Sequence, residues 1–191
     1  IGIPLVYSQG FNPHPKMSFA QPLSLGYSSV CEYLEFETPE IYSPLIIKET
    51  LADQMPEGIN IILCKDVVGD GKTLAAKTVA AEYIIGIPLG ESEIDEDIST
   101  LCKRFLSQEE IIVQKKKKKS KELADVDIRN NIHDMYFVCV HQSFLVTALF
   151  DSCSSSNLSP ELLITAIKRF LNLEVDRSEV SIMRTKNIFE K

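Results

Sequence analysis

Residues 8–16 read Ser-Gln-Gly-Phe-Asn-Pro-His-Pro-Lys. Ser8, Gln9, Asn12, His14 and Lys16 bring hydroxyl, amide, imidazole and ammonium groups together, Phe11 adds a flat apolar face, and the first acid in the chain is Glu32. An acid-free donor set beside an aromatic ring suits an anionic or carbonyl-rich ligand such as a nucleotide. Gly10, Pro13 and Pro15 cannot continue a helix or a ladder, so the segment is a shaped loop. The competing reading is a rigid turn in which these residues only fix a hairpin.

Glu32 is the second candidate. On a strand it shares a face with Val30, Leu34 and Phe36, where an acid is out of pattern. A carboxylate on an apolar face needs a partner. Pairing with Lys16 or His14 would build a polar site; leaning to solvent at a sheet edge would not. The third candidate is the run Lys115, Lys116, Lys117, Lys118 and Lys119 with Lys121. Without these six the chain has 14 bases against 27 acids, so positive charge is focused there. A basic hairpin can contact RNA backbone, each neutralised phosphate adding about −0.7 to the salt slope. Alternatively the lysines solvate an edge strand and block aggregation. Asp125, Asp127 and Arg129 form the fourth group. Asp127 and Arg129 fall on one strand face and can pair, which is more often structural than catalytic.

Other signals are weaker. Gly71-Lys72-Thr73 imitates the end of a phosphate-binding loop, but Asp66 stands where that motif needs glycine. His133 and His141 lie in apolar stretches and read as structural. The serines at 152 and 154–156 read as a loop. Cys31, Cys64, Cys102, Cys139 and Cys153 include no close pair, so neither a zinc site nor an iron–sulfur cluster is expected. They read as buried, reduced thiols of a cytoplasmic protein. No metal or cofactor is expected.

The elements that position these groups follow from periodicity. Strands are expected over 1–9, 30–38 and 59–68, with a helix from Ser43-Pro44, a capping residue followed by proline at the first helical position. A second set begins near Ala80: a strand over 81–89, a helix with Ile98, Leu101, Cys102, Phe105 and Leu106 on one side, and a strand over 109–119. Further strands are expected over 124–132, 135–140 and 143–150, a helix from Ser159-Pro160, and a strand over 180–184. The later set has the split β-α-β order. The earlier set has the same order if one strand and one helix are missing at its front. The expected fold is α+β, two tandem ferredoxin-like domains over 1–74 and 81–191, the first truncated at its N-terminus. Length (191 residues), 45% hydrophobic and 25% charged residues suit folded domains and exclude a long disordered chain. No apolar run is long enough for a membrane helix. No signal peptide is expected from Ile1-Gly2-Ile3-Pro4, and the missing initiator Met suggests a piece of a longer polypeptide. A net charge of −7 disfavours a generally basic nucleic-acid binder.

The run YSQGFNPHPKMSFAQPLSLGYSSVCEYLEFE, residues 7–37, resembles the radical SAM-linked proteins, the DUF2344 family. Asp127-Ile128-Arg129, Ser159-Pro160-Glu161-Leu162-Leu163 and Arg184-Thr185 fit it as well. Family members usually begin with a strand and a helix carrying a His-Leu-Asp stretch, absent here, and Asn130 stands where the family commonly has proline. Matching motif positions are Ser8, Gln9, Gly10, Phe11, Asn12, Pro13, His14, Pro15, Glu32, Asp127 and Arg129. The resemblance implies a domain fused to, or encoded beside, a radical SAM protein. The chain lacks that enzyme's own Cys-x-x-x-Cys-x-x-Cys triplet. The expectation is a non-catalytic accessory or substrate-binding module, with RNA as a candidate ligand. Two alternatives stay open. One is a metal-independent endoribonuclease using His14, Tyr7 and Lys16 as acid–base groups. The other is a protein–protein adaptor.

Overall fold

Asp97, Ser159 and Ser43 each stand immediately before a helix, and two of the three cap it through the side chain. Asp97 accepts from the Thr100 amide at 2.9 Å, and Ser159 from the Glu161 amide. In the computed structural model, which describes residues 2–67, 71–90, 94, 96–117 and 122–190, the elements run in chain order. They are β1 (Met17–Phe19), β2 (Ser28–Ser29), β3 (Leu34–Phe36), α1 (Pro44–Ala52), α2 (Leu74–Lys77), β4 (Thr78–Pro88), α3 (Ile98–Leu106) and β5 (Ile112–Lys116). There follow β6 (Leu123–Asp127), a 3-10 turn (Arg129–Asn131), β7 (Ile132–Val140), β8 (Ser143–Asp151), α4 (Pro160–Leu171), a second 3-10 turn (Arg177–Glu179) and β9 (Ser181–Phe189). The fold is α+β with a mainly sheet core. None of the described helices is long and apolar enough to cross a membrane.

The chain divides into two units: Ile1–Ala20 with Tyr33–Ala75, and Gln21–Glu32 with Ala76–Lys191. Unit 2 holds the core. Its sheet has the order β2-β9-β4-β8-β7, antiparallel except for the short parallel contact of β2 with β9. On one face of β4, Ala81, Tyr83, Ile85 and Ile87 are all buried, the period-2 pattern of a strand with one side in a core. Leu101 and Phe105 of α3 and Leu163 and Ile167 of α4 bury against it. Phe105 meets Phe170 edge-on at 5.1 Å, and Tyr83 stacks on Phe150 at 5.0 Å. β5 and β6 form a separate antiparallel hairpin.

Unit 1 contains β1 paired with β3 and helix α1. Here the expected strands shorten. Of residues 2–9 only Tyr7 makes a bridge, to Pro15, because prolines have no N–H to extend a ladder. The strand expected over 30–38 is reduced to β3. Ahead of it the Val30 amide donates to Arg184 O in unit 2, so 30–36 is not one continuous strand. The face shared by Val30, Glu32, Leu34 and Phe36 therefore does not form. Residues 59–67 form neither helix nor strand, so the strand expected there is absent. In unit 2 the strand expected over 124–132 stops at Asp127, where the 3-10 turn breaks it, and β7 restarts at Ile132. His141 is a turn residue with φ +54° between β7 and β8, not part of a strand. All five cysteines are free, but only Cys102 is buried and Cys139 is exposed, so the expectation of buried thiols fails for most of them. Val68, Gly69, Asp70 and Asp95 lie outside the described residues, as do Lys118, Lys119 and Lys121 of the lysine run.

Candidate functional site

In unit 2 the sequence Ile182-Met183-Arg184 puts a guanidinium on the buried side of β9. A register shift between Glu82 and Tyr83 of β4 inserts one residue in β9, so that Asn187 rather than Lys186 returns to the buried side. Arg184 is 2% exposed and needs compensation there. The segment Gln21–Glu32 supplies it. Arg184 Nη1 donates to Glu32 Oε1 at 2.9 Å, Glu32 Oε2 at 3.1 Å and Gln21 O at 2.8 Å, and Nε donates to Tyr83 Oη at 3.0 Å. Asn187 Nδ2 donates to Cys31 O at 2.8 Å. Two buried acceptors, Gln21 Oε1 and Asn187 Oδ1, receive no hydrogen bond within the described residues. Burial pushes up both the Tyr83 phenol and the Cys31 thiol. The cluster thus pairs a buried cation with a carboxylate whose side chain is 31% exposed, and it holds no activated nucleophile.

Glu32 therefore pairs with Arg184, not with Lys16 or His14. Lys16 Nζ bonds Glu37 Oε2 at 2.8 Å. The alternation reading marked Glu32 as out of pattern. The same signal was available at Arg184, a charge alternating with Ile182 on an apolar strand, but nothing in the sequence joins the two positions.

The 8–16 loop belongs to unit 1. Its ends are tied by the Ser8 amide to His14 O at 2.8 Å, the His14 amide to Ser8 Oγ at 3.0 Å, and the Lys16 amide to Val6 O at 2.8 Å. Gly10 has φ +140°, a conformation that glycine adopts without strain. The cross-links close the neck and leave the tip outward. Phe11 is fully exposed, and Gln9, Asn12, Pro13, His14 and Pro15 are exposed with it. The loop is a braced presentation surface, with one of its bases already paired to an acid.

The β5–β6 hairpin carries Lys115 and Lys116, both exposed, with Lys117 just beyond. Lys117 lies 3.6 Å from Glu122, and Asp125 sits opposite Gln114. Asp127 and Arg129 do not pair. Asp127 Oδ1 accepts the Ile111 amide at 2.8 Å and the Arg129 amide at 2.9 Å, while Arg129 Nε donates to Leu106 O at 2.8 Å. Both serve to close the base of the hairpin, because the 3-10 turn takes Arg129 off the strand. Among the described residues, no three His, Cys, Asp or Glu side chains gather to hold a metal ion.

Two further polar clusters brace unit 2. Tyr27 Oη donates to Glu161 Oε1 at 2.9 Å, and Arg177 grips Glu161 through Nε and Nη2. Burial and the Glu161 bond push the Tyr27 phenol to about 12. His133 Nε2 lies 2.6 Å from Asp151 Oδ1, and Asp151 Oδ2 also accepts from Asn131 and Ser156.

The profile of a protein family described as "Uncharacterized protein conserved in bacteria (DUF2344)" matches residues 1–160. No curated protein matches the chain, and no solved structure does.

Proposed function

We propose, for a chain that belongs to the DUF2344 family, a non-catalytic accessory role: it binds the substrate of a radical SAM protein, and that substrate is RNA. The observation that carries this reading is the braced 8–16 loop. A fully exposed Phe11 on a cross-linked neck stands ready to stack on an unpaired base, and a pre-formed loop loses little entropy on binding. The amide, hydroxyl and imidazole groups around Phe11 suit base edges and phosphates. Lys115, Lys116 and Lys117 offer a second, electrostatic contact.

The link to a radical SAM protein rests on the sequence resemblance. The β-α-β-β-α-β order of β4, α3, β7, β8, α4 and β9, with sheet neighbours β9-β4-β8-β7, supports reading residues 76–191 as a ferredoxin-like domain. The tandem arrangement extends that reading to the first unit. Five free cysteines agree with a reducing, cytoplasmic setting. The test is co-purification of the full chain with the radical SAM protein encoded beside it, with and without ribonuclease. Retention of both the protein and RNA is expected. Absence of the radical SAM protein under both conditions overturns the accessory role.

A further inference from the structure

The pairing of β1 with β3 continues beyond both strands. Its register sets Met17 opposite Phe36, Ser18 opposite Glu35 and Phe19 opposite Leu34. One step towards the 8–16 loop, the Glu37 amide donates to Lys16 O at 3.0 Å, and the two side chains pair at 2.8 Å. One step the other way, the Ala20 amide donates to Tyr33 O at 3.0 Å. The next pair in this register is Gln21 and Glu32. A single atom, Arg184 Nη1, donates to Gln21 O and to both carboxylate oxygens of Glu32. A guanidinium therefore stands where two backbones would supply another rung.

The opposite end of the ladder is the neck of the 8–16 loop. The Lys16 amide donates to Val6 O, and the Val6 amide donates to Glu37 O at 2.9 Å. The strands that brace the loop are thus the strands that end at Arg184. A two-stranded ladder of three-residue strands is marginal by itself. Its ends are joined by the excursion 21–32, and closing that excursion costs chain entropy. The middle of the excursion has anchors of its own: Ser28 and Ser29 pair with Met183 and Arg184, and Tyr27 bonds Glu161. Arg184 Nη1 is the group that brings its two ends together. That group is itself fixed, because the residue is 2% exposed and Nε is held by Tyr83 Oη.

We infer that Arg184 is the terminal rung of the β1–β3 ladder and a positioning residue for the 8–16 loop. Its guanidinium orders the neck through the ladder, without touching the loop. The staple acts whether or not the loop binds RNA, so its test needs no ligand and can fail independently of the accessory role.

Amide hydrogen exchange on the full chain, resolved by nuclear magnetic resonance, provides that test. Arg184→Met frees both Gln21 and Glu32, whereas Glu32→Ala leaves Gln21 O bonded. Exchange at the Ala20, Glu37, Lys16 and Val6 amides is expected to rise about tenfold in Arg184→Met, the weight of one hydrogen bond to a charged group, and by less in Glu32→Ala. General loosening gives the opposite order, because Glu32→Ala is the more damaging change for unit 2, leaving a buried cation without its carboxylate. Ile167→Val, a core change on α4 away from the ladder, is expected to leave these four amides unchanged. Unchanged exchange in Arg184→Met, acceleration that stops at Ala20, a larger effect in Glu32→Ala, or equal acceleration in Ile167→Val overturns the inference.

Discussion

Removing Glu32 should destabilise unit 2 more than removing Arg184, although the two form one ion pair. Arg184 is 2% exposed, so Glu32→Ala leaves a guanidinium in the core with only Gln21 O and Tyr83 Oη as acceptors. Breaking a buried pair from one side costs about 3–5 kcal/mol. The Glu32 side chain is 31% exposed, which lowers the figure to about 2–3 kcal/mol through solvent screening. Arg184→Met replaces the cation with an apolar chain of similar length, and the Glu32 carboxylate can turn to water. What remains is the loss of hydrogen bonds to Tyr83 Oη and Gln21 O, about 1–1.5 kcal/mol. The double variant should cost less than the sum of the two. Urea unfolding followed by far-ultraviolet circular dichroism measures this. With a slope of about 2 kcal/mol/M, Glu32→Ala lowers the midpoint by roughly 1–1.5 M and Arg184→Met by roughly half as much. An Arg184→Met cost equal to or above that of Glu32→Ala, or strict additivity, would refute the assignment of a buried, compensated cation.

Other outcomes follow from the same geometry. The Tyr27 phenol, at about 12 in the folded chain against an ordinary 10.0, adds stability that is complete below pH 10 and lost as pH rises towards 12. Alkaline unfolding read by circular dichroism should lose that step in Tyr27→Phe. Glu161 is held below its ordinary 4.5 by the Arg177 hydrogen bonds, so its contribution is present above that value and lost as pH falls below it. Acid titration of Arg177→Met should show a weaker dependence there. Hydrogen bonds from Ser155 and the Ser156 amide lower the Cys153 thiol, whereas burial raises Cys31, Cys64 and Cys102. At neutral pH Cys153 should be alkylated ahead of those three by mass spectrometry, and Ser155→Ala should slow it.

Three of the four described helices were legible because their signals are local, whereas the short α2 was not expected. Ser43-Pro44 and Ser159-Pro160 mark two helix starts, the helical spacing of Ile98, Leu101, Cys102, Phe105 and Leu106 marks a third helix, and the apolar stretch over 81–89 marks most of β4 without reference to the rest of the chain. The failures share one cause, which is that a strand depends on a partner distant in sequence. Residues 59–67 are as apolar as β8, yet β8 has β4 and β7 beside it and 59–67 has no ladder. Glu32 announced itself as a misplaced acid, but its partner lies 152 positions away. Asp127 and Arg129 were separated by a turn that Asn130 and Asn131 accommodate, and the two-residue spacing did not reveal it. The 8–16 loop was legible as a shape from its glycine and prolines. Its outward tip and its Ser8–His14 cross-link were not, because both depend on how the neck closes.

The most direct measurement is a fluorescence anisotropy titration of single-stranded RNA with the full chain and with Phe11→Ala, each at low and moderate salt. Phe11 is fully exposed, so the substitution leaves the fold intact. The account expects salt-dependent binding that Phe11→Ala weakens by about 5–150-fold, the equivalent of one stacked base at about 1–3 kcal/mol. Equal binding by both proteins, or no binding by either at low salt, would contradict it.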